Sequence, residues 1–338
     1  MNRTSPASLA TTLLLCALAL LTTNCAGDAG DGGSIGAISA AVKGDPAITV
    51  TVAASGGNPV DTAPSDNGHA FYFIGSDRRG PGVFRVGTRG NHNPVDDVRS
   101  GAPFVSPQSI AADSDEDRLY VADPAANAIF AIGAHSGRVE ATLAAGDHPR
   151  GVEVAATCDD DARLYYTGVE ARSGKPGLFR VDERGKSQAL FTGAPLTAPG
   201  AVAVSHDGVA YVSDAPGPGP GIVGAGRIIA IDPRRHGAAT VLAQGLTLGD
   251  PAGVALTLDD RTLLVSGLDG KGHSQVYLID TATGAIATFA GGGIGDNTAS
   301  GGLHRAANKN VFGWVDRSRG GGTVYNIAVS GRAYNAGP

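Results

Sequence analysis

The sequence predicts an all-β fold built from repeated antiparallel units, and three observations support this prediction. Two alternating runs, Arg118–Asp123 and Ala128–Ile132, are joined by a short Pro/Asn turn. Further runs follow at Val139–Leu143 and Val152–Ala155, after turns rich in Gly, Asp and Pro. Alternation with a period of two between turn residues is typical of strands, not of helices. Glycine accounts for 51 of the 338 residues, about twice its usual ~7% share, as many tight turns require.

The same strand pattern recurs along the chain from residue 47 to the end. The residues that end the second strand of successive units lie 45 to 53 residues apart: Ser76, Asp123, Gly168, Asp214, Gly267 and Asp316. Four-stranded units at about this period are the signature of a β-propeller, so six units predict six blades, with seven blades as the alternative. The sixth unit lacks one strand. We therefore expect Ala47–Ala53 to pair beside Thr323–Val329 and close the ring, which removes two exposed sheet edges.

The first 25 residues have the organisation of a signal peptide. A short basic start precedes the apolar run Leu13–Leu21, which is too short to span a bilayer. The position of Cys25 resembles the lipidated cysteine of bacterial lipoproteins, although Thr22 and Asn24 depart from that motif and ordinary secretion stays open. Residues 26–46 are small and polar, as in a flexible tether. We expect an exported domain in the cell envelope, at the outer membrane or in the periplasm, with a lipid anchor as its membrane contact.

The cysteine count and the charge exclude some functions. The chain has three cysteines, and if Cys16 is removed with the signal and Cys25 carries lipid, Cys158 has no partner for a disulfide. The formal net charge is −6, and no dense basic run is present. A nucleic-acid partner is therefore not expected. We expect a monomer.

Several repeated motifs resemble known propeller families. The segment Gly137–Gly146 together with Pro149-Arg-Gly-Val resembles the YVTN repeat of surface-layer-associated proteins. The patterns Pro-x-Gly-Val, Leu-Tyr-Val-Ala-Asp and Asn-x-Ile are similar to NHL repeats and to the gluconolactonase/senescence-marker-protein superfamily. The lactonase resemblance implies a divalent metal, Ca²⁺ or Zn²⁺, near the channel mouth. The chain departs from that family because its first strands lack Glu-Gly-Pro-x-Trp, and its one tryptophan, Trp314, lies in the last blade.

One face of the predicted propeller carries elongated loops. In such a fold the loops between second and third strands open on the same face as the corners before the first strands; we name it the long-loop face. Long loops on a rigid scaffold are common binding sites, although Gly/Pro-rich loops are also tolerated as plain insertions. The charged candidates on these loops are Asp77, Arg78, Arg79, Glu170, Lys175, Asp269, His273, Arg317 and Arg319.

Two groups of residues are candidates for chemistry in the channel. Asp123, Asp214 and Asp316 end the second strands of alternate blades. They would ring the channel mouth as ligands of a hard cation, or they accept hydrogen bonds from the next turn. Glu153 and His304 occupy a first-strand position that is alanine in other blades. Because blades three and six face each other across a ring of six, these two residues are predicted to form a proton-transfer or metal pair, or to be satisfied structurally.

The function predicted from these features is binding. Within the predicted propeller, residues 47–338, the sequence contains no Gly-x-Ser-x-Gly, His-Glu-x-x-His or phosphate-loop motif; the one Gly-x-Ser-x-Gly match, Gly32–Gly36, lies in the predicted tether. We therefore expect a non-enzymatic scaffold whose long-loop face binds an envelope protein, a glycan or a small molecule. The alternative is a metal-dependent, lactonase-like hydrolase that uses some of the five channel residues.

Overall fold

The computed structural model describes residues 48–329, except 89–93, 114, 116, 145, 146, 159, 183, 217–222, 236 and 319. The predicted signal peptide with Cys25, the predicted tether and Arg319 lie outside the described residues. No helix in the described ranges has the length and apolar character needed to cross a membrane.

The chain forms six four-stranded antiparallel sheets, each of which is one blade. Blade one contains β2 (Asp61–Pro64), β3 (Ala70–Asp77), β4 (Gly80–Gly87) and β5 (Val95–Ser100); blade two contains β6 (Ser109–Ala112), β7 (Arg118–Asp123), β8 (Ala128–Gly133) and β9 (Val139–Leu143). Blade three contains β10 (Val152–Thr157), β11 (Asp160–Val169), β12 (Pro176–Val181) and β13 (Ser187–Thr192); blade four contains β14 (Pro199–Val204), β15 (Ala210–Asp214), β16 (Gly226–Asp232) and β17 (Ala238–Leu246). Blade five contains β18 (Val254–Leu256), β19 (Thr262–Leu268), β20 (Ser274–Asp280) and β21 (Ile286–Phe289); blade six contains β22 (Ser300–Arg305), β23 (Val311–Asp316), β24 (Thr323–Val329) and β1 (Ile48–Ser55). Short 3-10 turns cover Pro233–Arg235 and Ile294–Asp296.

The blades form a closed ring around a central channel. The first strands β2, β6, β10, β14, β18 and β22 each contact the first strands of both neighbouring blades. Six clusters of buried apolar side chains fill the spaces between consecutive blades. Trp314 lies in one of these clusters with no exposed surface, and its Nε1 donates to Ser300 Oγ at 3.0 Å. The prediction of six blades is therefore confirmed, and the seven-blade alternative is wrong.

The N-terminal strand closes the ring as predicted. β1 pairs antiparallel with β24, from Ile48 opposite Val329 to Ser55 opposite Thr323, with a register shift after Val52. Two backbone hydrogen bonds extend the contact, from Gly56 N to Gly322 O and from Asn58 N to Gly321 O. Sequence positions almost 280 residues apart thus complete one blade. This arrangement covers the outer edge of β24, which would otherwise offer unpaired backbone groups.

The state of Cys158 bears on the cysteine count made from the sequence. Cys158 is exposed, and its sulfur is disulfide-bonded. The bonded cysteine lies outside the described residues. The sequence leaves Cys158 without a partner only if Cys16 is removed with the signal peptide and Cys25 carries lipid, and that condition stays a prediction.

Candidate functional site

The centre of the long-loop face contains a cavity of about 530 Å³. Its walls come from the corners before the first strands and from residues that follow the second strands, including Pro124 and Ala215. This composition confirms that both kinds of segment open on the same face. The volume lies within the ~300–1,000 Å³ range of small-molecule sites.

The corner residues give the wall of this cavity a different side chain in each blade. In blades two to five the residue that follows the corner proline lines the cavity: Gln108, Arg150, Gly200 and Ala252. The side chain is therefore polar in two adjacent blades and small or absent in the next two. Arg150 is exposed and Gln108 is partly exposed. Glycine at position 200 reflects close packing, because a Cβ there would lie 2.9 Å from Ser213 Oγ.

Asp250 supplies a carboxylate to the wall in blade five. Its side chain is exposed, and its backbone amide donates to Ser300 O at 2.9 Å, which fixes the corner. Blade five lies opposite blade two in a ring of six, so the carboxylate and Gln108 stand on opposite sides of the mouth. The cavity thus offers an acceptor on one side and donors on the other, a combination suited to a ligand with several hydroxyl groups.

The structure does not bring Asp123, Asp214 and Asp316 together. All three are buried, with at most 1% of their surface exposed. Each carboxylate accepts hydrogen bonds from backbone amides of the corner that leads into its own blade: Val105 N at 2.6 Å, Ala198 N at 2.7 Å and Ala299 N at 3.1 Å. Asp214 also pairs with Arg227 at 2.7 Å. Their oxygens therefore tie strand ends to corners, as the alternative interpretation of these residues predicts.

Glu153 and His304 do meet in the channel, and Asp61 joins them. His304 Nδ1 lies 3.2 Å from Glu153 Oε2, and His304 Nε2 lies 3.0 Å from Asp61 Oδ2. Asp61 also accepts hydrogen bonds from the backbone amides of Thr62 and Ile110, so it links blades one, two and six. A Cβ at Gly302 would overlap the Asp61 carboxylate, and glycine there leaves it room.

The imidazole of His304 is held in its charged form. Burial by itself lowers the pKa of His304, but the charge and hydrogen bond of Asp61, followed by those of Glu153, outweigh burial and raise that pKa to about 10. Each ring nitrogen faces a carboxylate oxygen, and both nitrogens can donate only when the ring is protonated. A protonated ring has no lone pair for a metal, so this geometry favours the structural interpretation of the pair.

The Glu153–His304 pair opens away from the long-loop face. It lines a separate cavity of about 50 Å³, together with Asp66, Asp113 and Arg305. Burial lowers the pKa of Arg305, against the opposing charges of Glu153 and Asp260. A space of this size suits a water molecule rather than an organic ligand.

Most of the predicted loop residues are engaged within their own loops. The Arg79 guanidinium lies 2.6 Å from carboxylates of Asp77 and Asp97. Glu170 accepts a hydrogen bond from Ser173. Asp269 accepts the backbone amide of His273 at 2.8 Å. These side chains therefore stabilise the conformation of the loops.

Three further loop candidates lie within the described residues. Arg78 and Lys175 are exposed to solvent. Arg317 lines a second cavity of about 190 Å³ beside the mouth. Of the loop candidates that the structure describes, Arg317 is therefore the one placed against a recess near the channel.

The possible Ca²⁺ or Zn²⁺ site of the sequence prediction has no matching ligand set in the described part of the chain. No group of three or more His, Cys, Asp or Glu side chains there converges on one point. The mouth cavity contributes one carboxylate, from Asp250. The residues present therefore do not fit a metal centre of the lactonase kind, which needs several oxygen ligands.

The residues predicted from the sequence did not include Gln108, Arg150, Asp250 and Asp61. The signal for the first two was available: the position after the corner proline changes from blade to blade while the proline recurs. A variable position inside a repeated structural corner marks a site that the fold leaves free.

Comparison with known proteins supports the fold. No known protein family and no curated protein matches the chain. A gluconolactonase from Xanthomonas campestris is 18% identical over 86% of this chain and 92% of its own, with a TM-score of 0.61. A PQQ-bound aldose sugar dehydrogenase from Streptomyces coelicolor is 16% identical over 84% and 98%, with a TM-score of 0.61. A calcium-binding regucalcin from Agrobacterium tumefaciens is 14% identical over 82% and 91%, with a TM-score of 0.57. At these identities the similarity establishes the β-propeller architecture.

Proposed function

We propose that this propeller binds a small hydroxylated molecule, a sugar or sugar lactone, in the cavity at the centre of its long-loop face. The observation that carries the proposal is the polar lining of that cavity, with Gln108 and Arg150 from blades two and three and Asp250 from blade five. A ligand held between Arg150 and Asp250 would find donors and an acceptor for its hydroxyl groups.

The structural neighbours support a sugar ligand. Two of them are, by their descriptions, a gluconolactonase and an aldose sugar dehydrogenase. They favour a lactonase-like function over a scaffold for a protein partner. A concave cavity also suits a small molecule better than a protein, since specific protein interfaces cover about 800 Å² on each partner.

Substituting Arg150 tests the binding site. We expect Arg150→Ala to weaken binding of D-gluconate or glucono-1,5-lactone by roughly 10- to 100-fold, because a hydrogen bond to a charged group contributes about 1.5–3 kcal/mol. Isothermal titration calorimetry measures the change. Arg78→Ala is the matched control, since Arg78 is an exposed arginine on the same face, and its affinity should equal that of the unsubstituted protein. Equal affinities for all three proteins would refute the assignment.

Hydrolysis of the lactone is the second candidate, and the exposed Asp250 carboxylate favours it. Asp250 would take a proton from water while the water oxygen bonds to the lactone carbonyl carbon. The ring C–O bond then breaks, and the ring oxygen takes the proton. Arg150 would stabilise the oxyanion that forms on the carbonyl. Proton release from the lactone, followed in a pH-stat, should fall by about 10²-fold or more in Asp250→Asn; an unchanged rate would leave binding without hydrolysis.

We also propose that the protein is an exported domain, held at the bacterial cell envelope by a lipid on Cys25. The N-terminal sequence supports this. If Cys16 is removed with the signal peptide, Cys25 is the cysteine left to pair with Cys158, so a disulfide at Cys158 in the mature chain would count against the lipid. One sulfur cannot carry both a lipid thioether and a disulfide. The mass of the mature chain after reduction distinguishes a lipidated Cys25 from a disulfide-bonded Cys25. We expect the mass of a diacylglyceryl group on an N-terminal Cys25, and a free Cys25 thiol would contradict the anchor.

A further inference from the structure

A second cavity adjoins the mouth on the long-loop face, next to blades five and six. Its volume is about 190 Å³, and Leu248, Leu268, Thr298 and Arg317 contribute to its lining. The stretch Leu248–Asp250 belongs to the walls of both cavities. The two cavities therefore adjoin along this stretch, which places two binding volumes side by side for one ligand with two linked units.

Arg317 is the cationic side chain of this second cavity. Its Nη1 donates to Asp250 O at 3.1 Å, and its backbone amide donates to Ala299 O at 3.0 Å. These two contacts hold the residue in place, and among the described residues the guanidinium has no further hydrogen-bond partner. By contrast, Arg79 and Arg227 on the same face are paired with carboxylates.

We propose that the second cavity is a subsite for an acidic sugar unit, such as a uronate. Its carboxylate would pair with the Arg317 guanidinium, whose planar fork suits bidentate carboxylate binding. The apolar face of the sugar ring would pack on Leu248 and Leu268. Asp250, where the two cavities adjoin, would accept hydrogen bonds from the hydroxyl groups of the sugar. Because the Asp250 carboxylate would repel an acidic ligand, the positive charge of Arg317 is needed to offset that repulsion. This inference rests on the proposed function, because the neighbouring unit occupies the mouth cavity.

Three probes test the subsite by calorimetry: glucose, cellobiose, and the aldobiouronic acid in which glucuronate is linked to glucose. The unsubstituted protein should bind the acid roughly tenfold or more tightly than cellobiose. Arg317→Gln, which keeps an N–H for Asp250 O, should remove that preference and leave glucose affinity unchanged. Arg317→Lys should retain part of it, and Arg150→Ala should weaken all three ligands.

The outcomes separate the two proposals. Equal affinity for the acid and cellobiose, or a preference that survives in Arg317→Gln, would overturn the acidic subsite while glucose binding still supports the mouth cavity. Absence of binding by all three probes would overturn both. Melting temperatures of the Arg317 variants equal to that of the unsubstituted protein would attribute any lost preference to the removed charge rather than to unfolding.

Discussion

Removing β1 (Ile48–Ser55) is expected to abolish the cooperative thermal transition of the propeller or to lower its Tm by more than about 10 °C. The strand supplies a whole edge of blade six through its pairing with β24. Ala54 is buried between blades six and one, and Ile48 and Val50 pack against the cluster between blades five and six. Without β1 these contacts are lost and β24 becomes an exposed edge that favours aggregation. Differential scanning calorimetry and light scattering measure both effects.

Two further chains control this experiment. One begins at Ile48 and should melt like the full chain, because it keeps every pair of the β1–β24 ladder. The other carries Ala54→Asp, which should destabilise strongly because it places an unpaired carboxylate in the apolar cluster between blades six and one, whereas Thr51→Ala, at an exposed position of the same strand, should change little. A chain lacking β1 that melts within a few degrees of the full chain would contradict ring closure by this strand.

His304→Gln is expected to cost several kcal/mol at pH 6 and to flatten the pH dependence of stability. In the native protein the pKa of His304 is raised from 6.5 to about 10. The stabilisation from the charged ring is therefore complete below pH 6.5 and is lost as pH rises towards 10. A shift of this size corresponds to a free energy of unfolding on the order of 5 kcal/mol. Glutamine removes the cation and leaves Asp61 and Glu153 unneutralised, which is costly for buried carboxylates.

Urea denaturation at about pH 6, 8 and 10 tests this prediction. The quantity compared is the difference in the free energy of unfolding between the variant and the unsubstituted protein at each pH. That difference should shrink as pH rises. His206→Gln is the matched control: His206 also contacts a carboxylate, Asp260 at 2.9 Å, but its side chain is 39% exposed. Its loss should change stability by less than about 1 kcal/mol. A His304→Gln difference that is constant with pH would show that the ring is neutral in the folded state.

The fold could be predicted because each blade repeats the same local signals. Alternating strands, a corner proline and the second-strand Asp recur often enough that six units and the closing strand follow from alignment alone. The contact between Glu153 and His304 also followed from comparing blades, since both replace alanine at one repeated position and the ring places their blades opposite each other.

Other parts of the site depend on distances that no repeat reveals. Asp61 contacts His304 from blade one. It lies two residues before the repeated alanine position, so an alignment of the blades does not mark it as a candidate. The regular spacing of Asp123, Asp214 and Asp316 suggested metal ligands. In the structure that spacing recurs because each carboxylate accepts hydrogen bonds from the backbone of its corner. Arg150 and Gln108 follow a proline that recurs in several blades, and this recurrence indicates a structural role for the whole corner rather than a binding role for single residues.

The mouth cavity as a sugar site is tested most directly by a crystal structure of the domain soaked with D-gluconate. The account predicts the ligand in the central cavity of the long-loop face, with oxygen atoms within hydrogen-bond distance of Arg150 and Gln108 and with a hydroxyl on Asp250. Gluconate bound elsewhere on the surface, with water alone between Arg150 and Asp250, would contradict it.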